Sequence, residues 1–239
     1  MSPDTETHAA PDPETGGQPR RIRSFIRRQG RITVAQSRAL EELWPLYGLE
    51  PDQRLEPATL FGRRAPLVLE IGFGNGESLA AMAEARPDED FVGIEVHRPG
   101  VGHLLWRIHE KGLGNVRVYR ADAIEILTEN VADAGLDRLQ LFFPDPWPKK
   151  RHHKRRIVNP EFLDLVRRKL KPGGVFHAAT DWEPYAEQMA ATLEARPGLI
   201  SLANGSPFSP RPDYRPPTKF ETRGRRLGHA VRDLLYRRV

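Results

Sequence analysis

Residues 66–86 read PLVLEIGFGNGESLAAMAEAR. Pro66 to Ile71 is an apolar run broken only by Glu70, which predicts a strand covered on both faces. Gly72, Gly74 and Gly76 supply the turn, and glycine lets the backbone come close to a ligand. From Glu77 to Arg86, Leu79, Met82 and Ala83 share one helical face before Pro87 stops the helix. A strand, a glycine turn and a helix form the opening unit of an α/β sheet. The E-x-G-x-G-x-G spacing departs from the G-x-G-x-x-G of dinucleotide binders.

The same alternation continues outward. Strands are predicted at Phe91–Val96, Val116–Arg120, Leu139–Phe143 and Val175–Ala179, with a closing strand within His229–Tyr236. Helices are predicted between them. In Pro99–Lys111, Val101, Leu104, Leu105 and Ile108 fall at i, i+3, i+4 and i+7. Ala123–Asn130 is a short helix. Asn159 caps another, with Pro160 at its first position, Phe162, Leu163, Val166 and Leu170 on its apolar face and Pro172-Gly173-Gly174 at its end. Trp182–Arg196 completes the set. Strands alternating with helices predict a doubly wound, mostly parallel sheet, whose ligands bind beyond the carboxyl ends of the strands. Val34–Leu46 reads as a helix before this unit, and residues 47–65 as irregular. Five prolines in GSPFSPRPDYRPP, residues 205–217, exclude a regular element there. The organisation expected is an acidic disordered tail over 1–20, a basic arm and helix over 21–60, and the α/β domain over 61–239.

At the fourth strand the chain reads LQLFFPDPWPKKRHHKRR, Leu139 to Arg156. Pro144, Pro146 and Pro148 forbid helix and central strand. Asp145 and Trp147 are therefore held on a stiffened loop at a strand end, and a dense cationic run follows. Trp147 suits either stacking on a base or packing. His152 and His153 are adjacent, without the spacing of a metal pair on a helix.

Net charge is +5 over 239 residues, and it is unevenly spread. Asp4, Glu6, Asp12 and Glu14 lie in residues 1–19, which contain no Lys or Arg. Basic residues gather at Arg20–Arg31, Lys149–Arg156 and Arg223–Arg238. Three basic patches suit a polyanion, because each neutralised phosphate releases counterions. The arm RRIRSFIRRQGRIT reads equally as a phosphate-contacting anchor or a solvated helix. No apolar run can span a bilayer, and no signal segment is read at the start. Cysteine is absent, which excludes disulfides and thiolate metal sites. The cytoplasm is the expected location, and no membrane or metal partner is expected.

Three acids decide the cofactor. Glu95 closes the second strand, where a carboxylate accepts from ribose hydroxyls of either NAD or S-adenosylmethionine. Glu70 stands before the first glycine, where a carboxylate can face the ammonium of a methionine moiety or its bound water and would repel a pyrophosphate. Asp122 follows the third strand, within reach of an adenine amino group. With Asp145 at the fourth, this layout resembles the class I S-adenosylmethionine-dependent methyltransferases.

RSFIRRQGR, LEIGFGNGESL, GIEVHRPGV, FFPDPWPKKRHHKRR, LKPGG, ATDWEPY and TKFETRGRRLGH narrow the resemblance. The chain from about Arg23 onward is similar to the bacterial tRNA (guanine-N7-)-methyltransferases. That resemblance implies a seven-stranded sheet with its last strand antiparallel. It implies cofactor binding by Glu70, Glu95, Asp122 and Asp145 around Gly72, Gly74 and Gly76, with Asp145 also catalytic. It implies guanosine binding by Lys149, Asp181, Thr218, Lys219, Phe220 and Glu221. Arg151, His152, His153, Lys154, Arg155 and Arg156 would contact the tRNA, and the product would be 7-methylguanosine in the variable loop. A methyltransferase acting on another RNA, a protein or a small molecule, or a tRNA-binding protein without catalysis, are the alternatives. The oligomeric state stays open, with a monomer as the working expectation.

Overall fold

The computed structural model describes residues 24–25, 31–217, 221 and 230–239. The acidic segment, most of the basic arm, Thr218, Lys219, Phe220 and residues 222–229 lie outside the described residues. In chain order the described elements are α1 (Val34–Glu42), α2 (Trp44–Tyr47), β1 (Gly48–Leu49), α3 (Pro57–Phe61), β2 (Leu67–Ile71) and α4 (Glu77–Ala85). Then come β3 (Asp90–Ile94), α5 (Arg98–Glu110), β4 (Val116–Tyr119), α6 (Ala123–Glu129) and β5 (Leu136–Phe142). A 3-10 helix (Lys150–Arg155), α7 (Pro160–Lys169), β6 (Leu170–Thr180), α8 (Glu183–Glu194), β7 (Leu199–Ser201) and β8 (Arg232–Arg238) complete them.

The strands order β1-β4-β3-β2-β5-β6-β8-β7. The first six run parallel, and β8 is antiparallel to both β6 and β7. Among the described residues the sheet has eight strands where seven were expected. The two-residue β1 adds an edge by pairing Gly48 and Leu49 with Val118 and Tyr119 of β4.

Side chains of the central strands alternate between two cores, as a period of two requires. Leu67, Leu69 and Ile71 of β2, Val92 and Ile94 of β3, and Leu139 and Leu141 of β5 point into the cluster filled by α6, α7 and α8. Val68, Phe91 and Phe142 point the other way, against α4, α5 and Ala39 of α1. Burial on both faces is why these strands read as unbroken apolar runs. Helix starts follow local chemistry. Thr33 and Gln36 form a reciprocal capping box at α1, and Asn159 Oδ1 accepts from Phe162 N at 2.9 Å to cap α7.

Pro172-Gly173-Gly174 departs from the sequence expectation. It does not end a helix, because α7 stops at Lys169 and these residues already belong to β6. The β5–β6 register shifts between Leu136 and Arg138 to absorb them. Gly173 has φ +82°, and a Cβ at Gly174 would sit 2.9 Å from Lys171 O and 3.0 Å from Leu136 O, so neither position tolerates a side chain easily.

The order β4-β3-β2-β5-β6 reverses direction between β2 and β5. In an open α/β sheet the ligand crevice lies there, beyond the carboxyl ends. Gly72 follows β2 at that point, and Phe143 to Asp145 follow β5.

Candidate active site

Two adjoining cavities open at this switch point. One, of about 210 Å³, is lined by Gly72, Glu95, Asp122 and Asp145 among others. The other, of about 620 Å³, takes in Glu70, Gly74, His97, His103 and Pro216. Both share Gly72, Phe142 and Phe143, so they form one cleft that bends around the glycine turn.

The three glycines do different work. All are left-handed, with φ +70° at Gly72, +61° at Gly74 and +74° at Gly76. A Cβ on Gly72 or Gly74 would meet no protein atom within 4 Å, so those two leave open space in the cleft. A Cβ on Gly76 would lie 2.6 Å from Leu104 Cβ, so that glycine allows α4 and α5 to pack.

Glu95 organises the turn. Its Oε2 accepts from Gly74 N at 2.9 Å, and its Oε1 accepts from Val96 N at 2.7 Å and His97 N at 2.9 Å. Carboxylate oxygens have about four lone-pair sites, so one acceptor position remains for a ligand hydroxyl. Asp122 caps α6 by accepting from Ile124 N at 2.9 Å and still reaches the smaller cavity.

Glu70 is different. Its side chain is buried, and its Oε2 has no hydrogen-bond partner. Burial, and then the nearby charge of Glu95, push its carboxyl up to about 8. A buried, unpartnered acid on a cavity wall is costly unless a ligand completes it. That orphaned oxygen and the open space above Gly72 and Gly74 fit the ammonium end of S-adenosylmethionine, and Glu95 and Asp122 fit its adenosine end.

Asp145 stands exposed on the rim of the smaller cavity. Its loop is tied down on both sides. Phe143 and Trp147 have φ +51° and +45°, a strained choice for residues with a Cβ. Phe143 N donates to Ala179 O at 2.7 Å, and Trp147 Nε1 donates to Ser24 O at 3.2 Å. Arg155 lies 5.0 Å over the Trp147 ring, and His152 meets it edge-on at 5.9 Å. These contacts make Trp147 a packed residue in this arrangement.

The cationic run divides by phase. Lys149, Lys150, Arg151, His153 and Lys154 are exposed, and His152 and Arg155 are partly exposed. Desolvation, and then the surrounding cations, hold His152 below the ordinary imidazole value. Arg156, expected to contact RNA, is turned inward and buried. Its Nε donates to Pro146 O at 2.9 Å, and its guanidinium lies 4.7 Å over the Tyr185 ring. The two turns of 3-10 helix rotate it off the cationic face, and it fastens the Asp145 loop instead. Asp181, just past β6, is partly exposed at the same sheet edge. Glu221 is buried against Arg215, with Arg215 Nη1 donating to its Oε2 at 2.7 Å.

Residues that sequence reading overlooked also shape the cleft. Phe25, Ile157 and Phe143 wall the smaller cavity. His103 Nδ1 lies 2.7 Å from Asn75 O at the larger one. Among the described residues no group of His, Asp or Glu could hold a metal ion, and no helix is long and apolar enough to cross a membrane.

Known proteins resemble this chain. A family model described as a putative methyltransferase matches residues 64–234. A tRNA (guanine-N(7)-)-methyltransferase of Methylococcus capsulatus is 61% identical over 220 residues, covering 92% of this chain and 95% of its own length. The enzyme of that name from Alcanivorax borkumensis is 59% identical, covering 94% and 95%. That from Chromohalobacter salexigens is 55% identical, covering 100% and 98%. Among solved structures, the 16S rRNA methyltransferase KamB superposes with a TM-score of 0.51 at 18% identity, covering 78% of this chain and 95% of its own, which speaks for the fold. Identity above one half over nearly the full length of these enzymes shows that the chain belongs to the tRNA (guanine-N(7)-)-methyltransferase family.

Proposed function

We propose that this chain transfers a methyl group from S-adenosylmethionine to N7 of a guanine in tRNA, and that the guanine lies in the variable loop. The observation that carries the reading is the cleft at the switch point. It joins a buried acid with an unpartnered oxygen, an open glycine turn, two further carboxylates and Asp145 on a fixed loop.

S-adenosylmethionine supplies a methyl group on a sulfonium. Glu70 would hold the ammonium, Glu95 the ribose and Asp122 the adenine edge. Guanine N7 has a lone pair and no proton, so no side chain needs to act as a base. As the N7–methyl bond forms and the sulfur–methyl bond breaks, the sulfonium would become a neutral thioether and its positive charge would pass to the purine. The Asp145 carboxylate, held before substrate arrives, stabilises that charge. The N1–H and exocyclic amine of guanine are donors, which suits Asp181 and Asp145 to its edge, with Lys149 and the Thr218–Glu221 segment completing the nucleoside site. Holding N7 in line with the methyl group supplies the rest of the acceleration. Exposed Arg151 and Lys154, with half-exposed Arg155, would contact phosphate.

The direct test is incubation with unmodified tRNA and methyl-labelled S-adenosylmethionine, followed by nucleoside mapping. Label in 7-methylguanosine at one variable-loop position is the expected result. Label on protein or a small molecule would favour the other acceptor classes.

Three variants probe the parts. Glu95→Ala is expected to weaken S-adenosylhomocysteine binding by ~1–3 kcal/mol, the cost of losing hydrogen bonds to a charged group. It also frees Gly74 N, so calorimetry should show a less favourable enthalpy. Unchanged affinity would remove Glu95 from the site. Replacing Arg151 and Lys154 by Ala is expected to flatten the plot of log affinity against log salt by about two units if each meets one phosphate. Arg156→Ala, whose side chain faces inward, should leave that slope unaltered, and a flattened slope there would place it on the RNA instead.

A further inference from the structure

Beneath the cleft lies a buried ionic cluster of which the proposed roles use only Glu221. Arg215, His177, Asp233 and Glu221 are all essentially inaccessible to solvent. Arg215 grips Asp233 with two parallel bonds, Nε to Oδ1 at 2.7 Å and Nη2 to Oδ2 at 2.8 Å. Its third nitrogen, Nη1, donates to Glu221 Oε2 at 2.7 Å. His177 Nε2 lies 2.8 Å from Asp233 Oδ1, and its Nδ1 lies 2.9 Å from the Tyr214 hydroxyl. A carboxylate only accepts, so Nε2 carries the proton and Nδ1 accepts from Tyr214.

The cluster joins three parts of the molecule. His177 belongs to β6 and Asp233 to β8, directly under the sheet's carboxyl edge. The Arg215 guanidinium also lies 5.9 Å from the ring centres of both Phe142 and Phe143, at the root of the Asp145 loop. Pro216 and Pro217, which follow it, wall the larger cavity. Ser209 N donates to Asp233 O at 2.8 Å and pins the start of the same segment. A planar, always charged group with five donors is suited to such three-way bonding, and lysine is not.

We propose that Arg215 is a positioning residue, which locks Glu221 and the root of the Asp145 loop into one rigid unit and thereby sets the target guanine in line for methyl transfer. The inference rests on the guanine reading above. Cofactor contacts lie on Glu70, Glu95 and Asp122, none of which touches Arg215, so transfer and cofactor affinity separate.

The test uses the full chain with labelled S-adenosylmethionine and unmodified tRNA. Arg215→Met is expected to lower kcat about a hundred-fold while the Kd for S-adenosylhomocysteine stays within a factor of about three, because a small misplacement of reacting groups has that effect on rate. Arg215→Lys, which keeps the charge without the fork, should recover part of the loss. Combining Arg215→Met with Glu221→Gln should cost no more than the worse single variant, since both break one unit. Wild-type kcat in both Arg215 variants overturns the inference. So do cofactor affinity falling in step with kcat, or losses at Arg215 and Glu221 that multiply. If Arg215→Met fails to fold, Arg215→Lys decides by the same readouts. A wild-type chain that binds S-adenosylhomocysteine but labels no tRNA overturns the guanine reading and this inference together, whereas active wild type with equally active variants overturns this inference alone.

Discussion

Asp145→Asn is expected to keep its fold and its tRNA affinity while its single-turnover rate at saturating S-adenosylmethionine falls on the order of a hundred-fold. Asn is nearly isosteric with Asp and keeps a carbonyl acceptor, so the contacts that order the loop survive. Those contacts do not involve the carboxylate. They are the Phe143 amide on Ala179 O, the Arg156 guanidinium on Pro146 O and the Trp147 indole on Ser24 O. The substitution therefore removes one thing, a fixed negative charge beside a purine that turns cationic. Preorganisation gives that charge its leverage, because proline at 144 and 146 and the strained backbone at Phe143 and Trp147 leave little to reorganise during reaction. Arg156→Ala supplies the complementary case. It leaves the Asp145 charge in place and loosens its support, so its rate loss should be partly recovered by Arg156→Lys. A near-wild-type single-turnover rate for Asp145→Asn, with weakened cofactor binding instead, would make Asp145 a cofactor anchor only.

The central strands were legible because burial on both faces leaves a simple trace, a short apolar run between turn residues. β2, β3 and β4 appear within a residue or two of where that pattern puts them. The sheet's margins were not legible. β1 has two residues and β7 has three, too few for any period to register. β6 begins at Leu170 through a Pro-Gly-Gly sequence that normally breaks structure, because tertiary pairing with Leu136 overrides the local preference. Within the site, the positions of Glu70, Glu95, Asp122 and Asp145 at successive strand ends followed from the alternation of elements alone. The fate of each basic residue in the Lys149–Arg156 run did not, since a 3-10 turn decides which guanidinium faces inward and composition carries no phase. The Arg215 cluster left a fainter signal. His177 in VFHAA and Asp233 in VRDLLY are polar residues inside strand-type runs, and each needed a partner that lies far off in sequence.

Glu70 should make cofactor binding and folding respond to pH in opposite senses. Its carboxyl is raised to about 8 by burial and then by Glu95, against about 4.3 in an unfolded chain. The folded protein without cofactor therefore holds a proton that the unfolded chain has lost. Glu70 contributes this stability fully below the unfolded value, and it is lost as pH rises through the folded one. Across that window the loss amounts to a few kcal/mol, because each step of one pH unit removes on the order of 1.4 kcal/mol. Glu70→Gln cannot ionise, so it should unfold at higher temperature than wild type at pH 8 and near the same temperature at pH 4. Binding runs the other way. An ammonium needs the carboxylate, so seating it expels the proton, and S-adenosylhomocysteine affinity should rise by up to about tenfold per pH unit from pH 6 until it levels near pH 8. Calorimetry in buffers of different ionisation enthalpy would count the released proton directly. Glu70→Gln should give a flat profile and, at pH 8, a loss of ~1.5–3 kcal/mol for a charge-assisted bond. A wild-type affinity independent of pH between 6 and 8, together with an unaffected Glu70→Gln variant, would show that the buried carboxyl never meets the ammonium. The orphaned oxygen would then need another partner, and the cofactor's orientation in the cleft would have to be reversed.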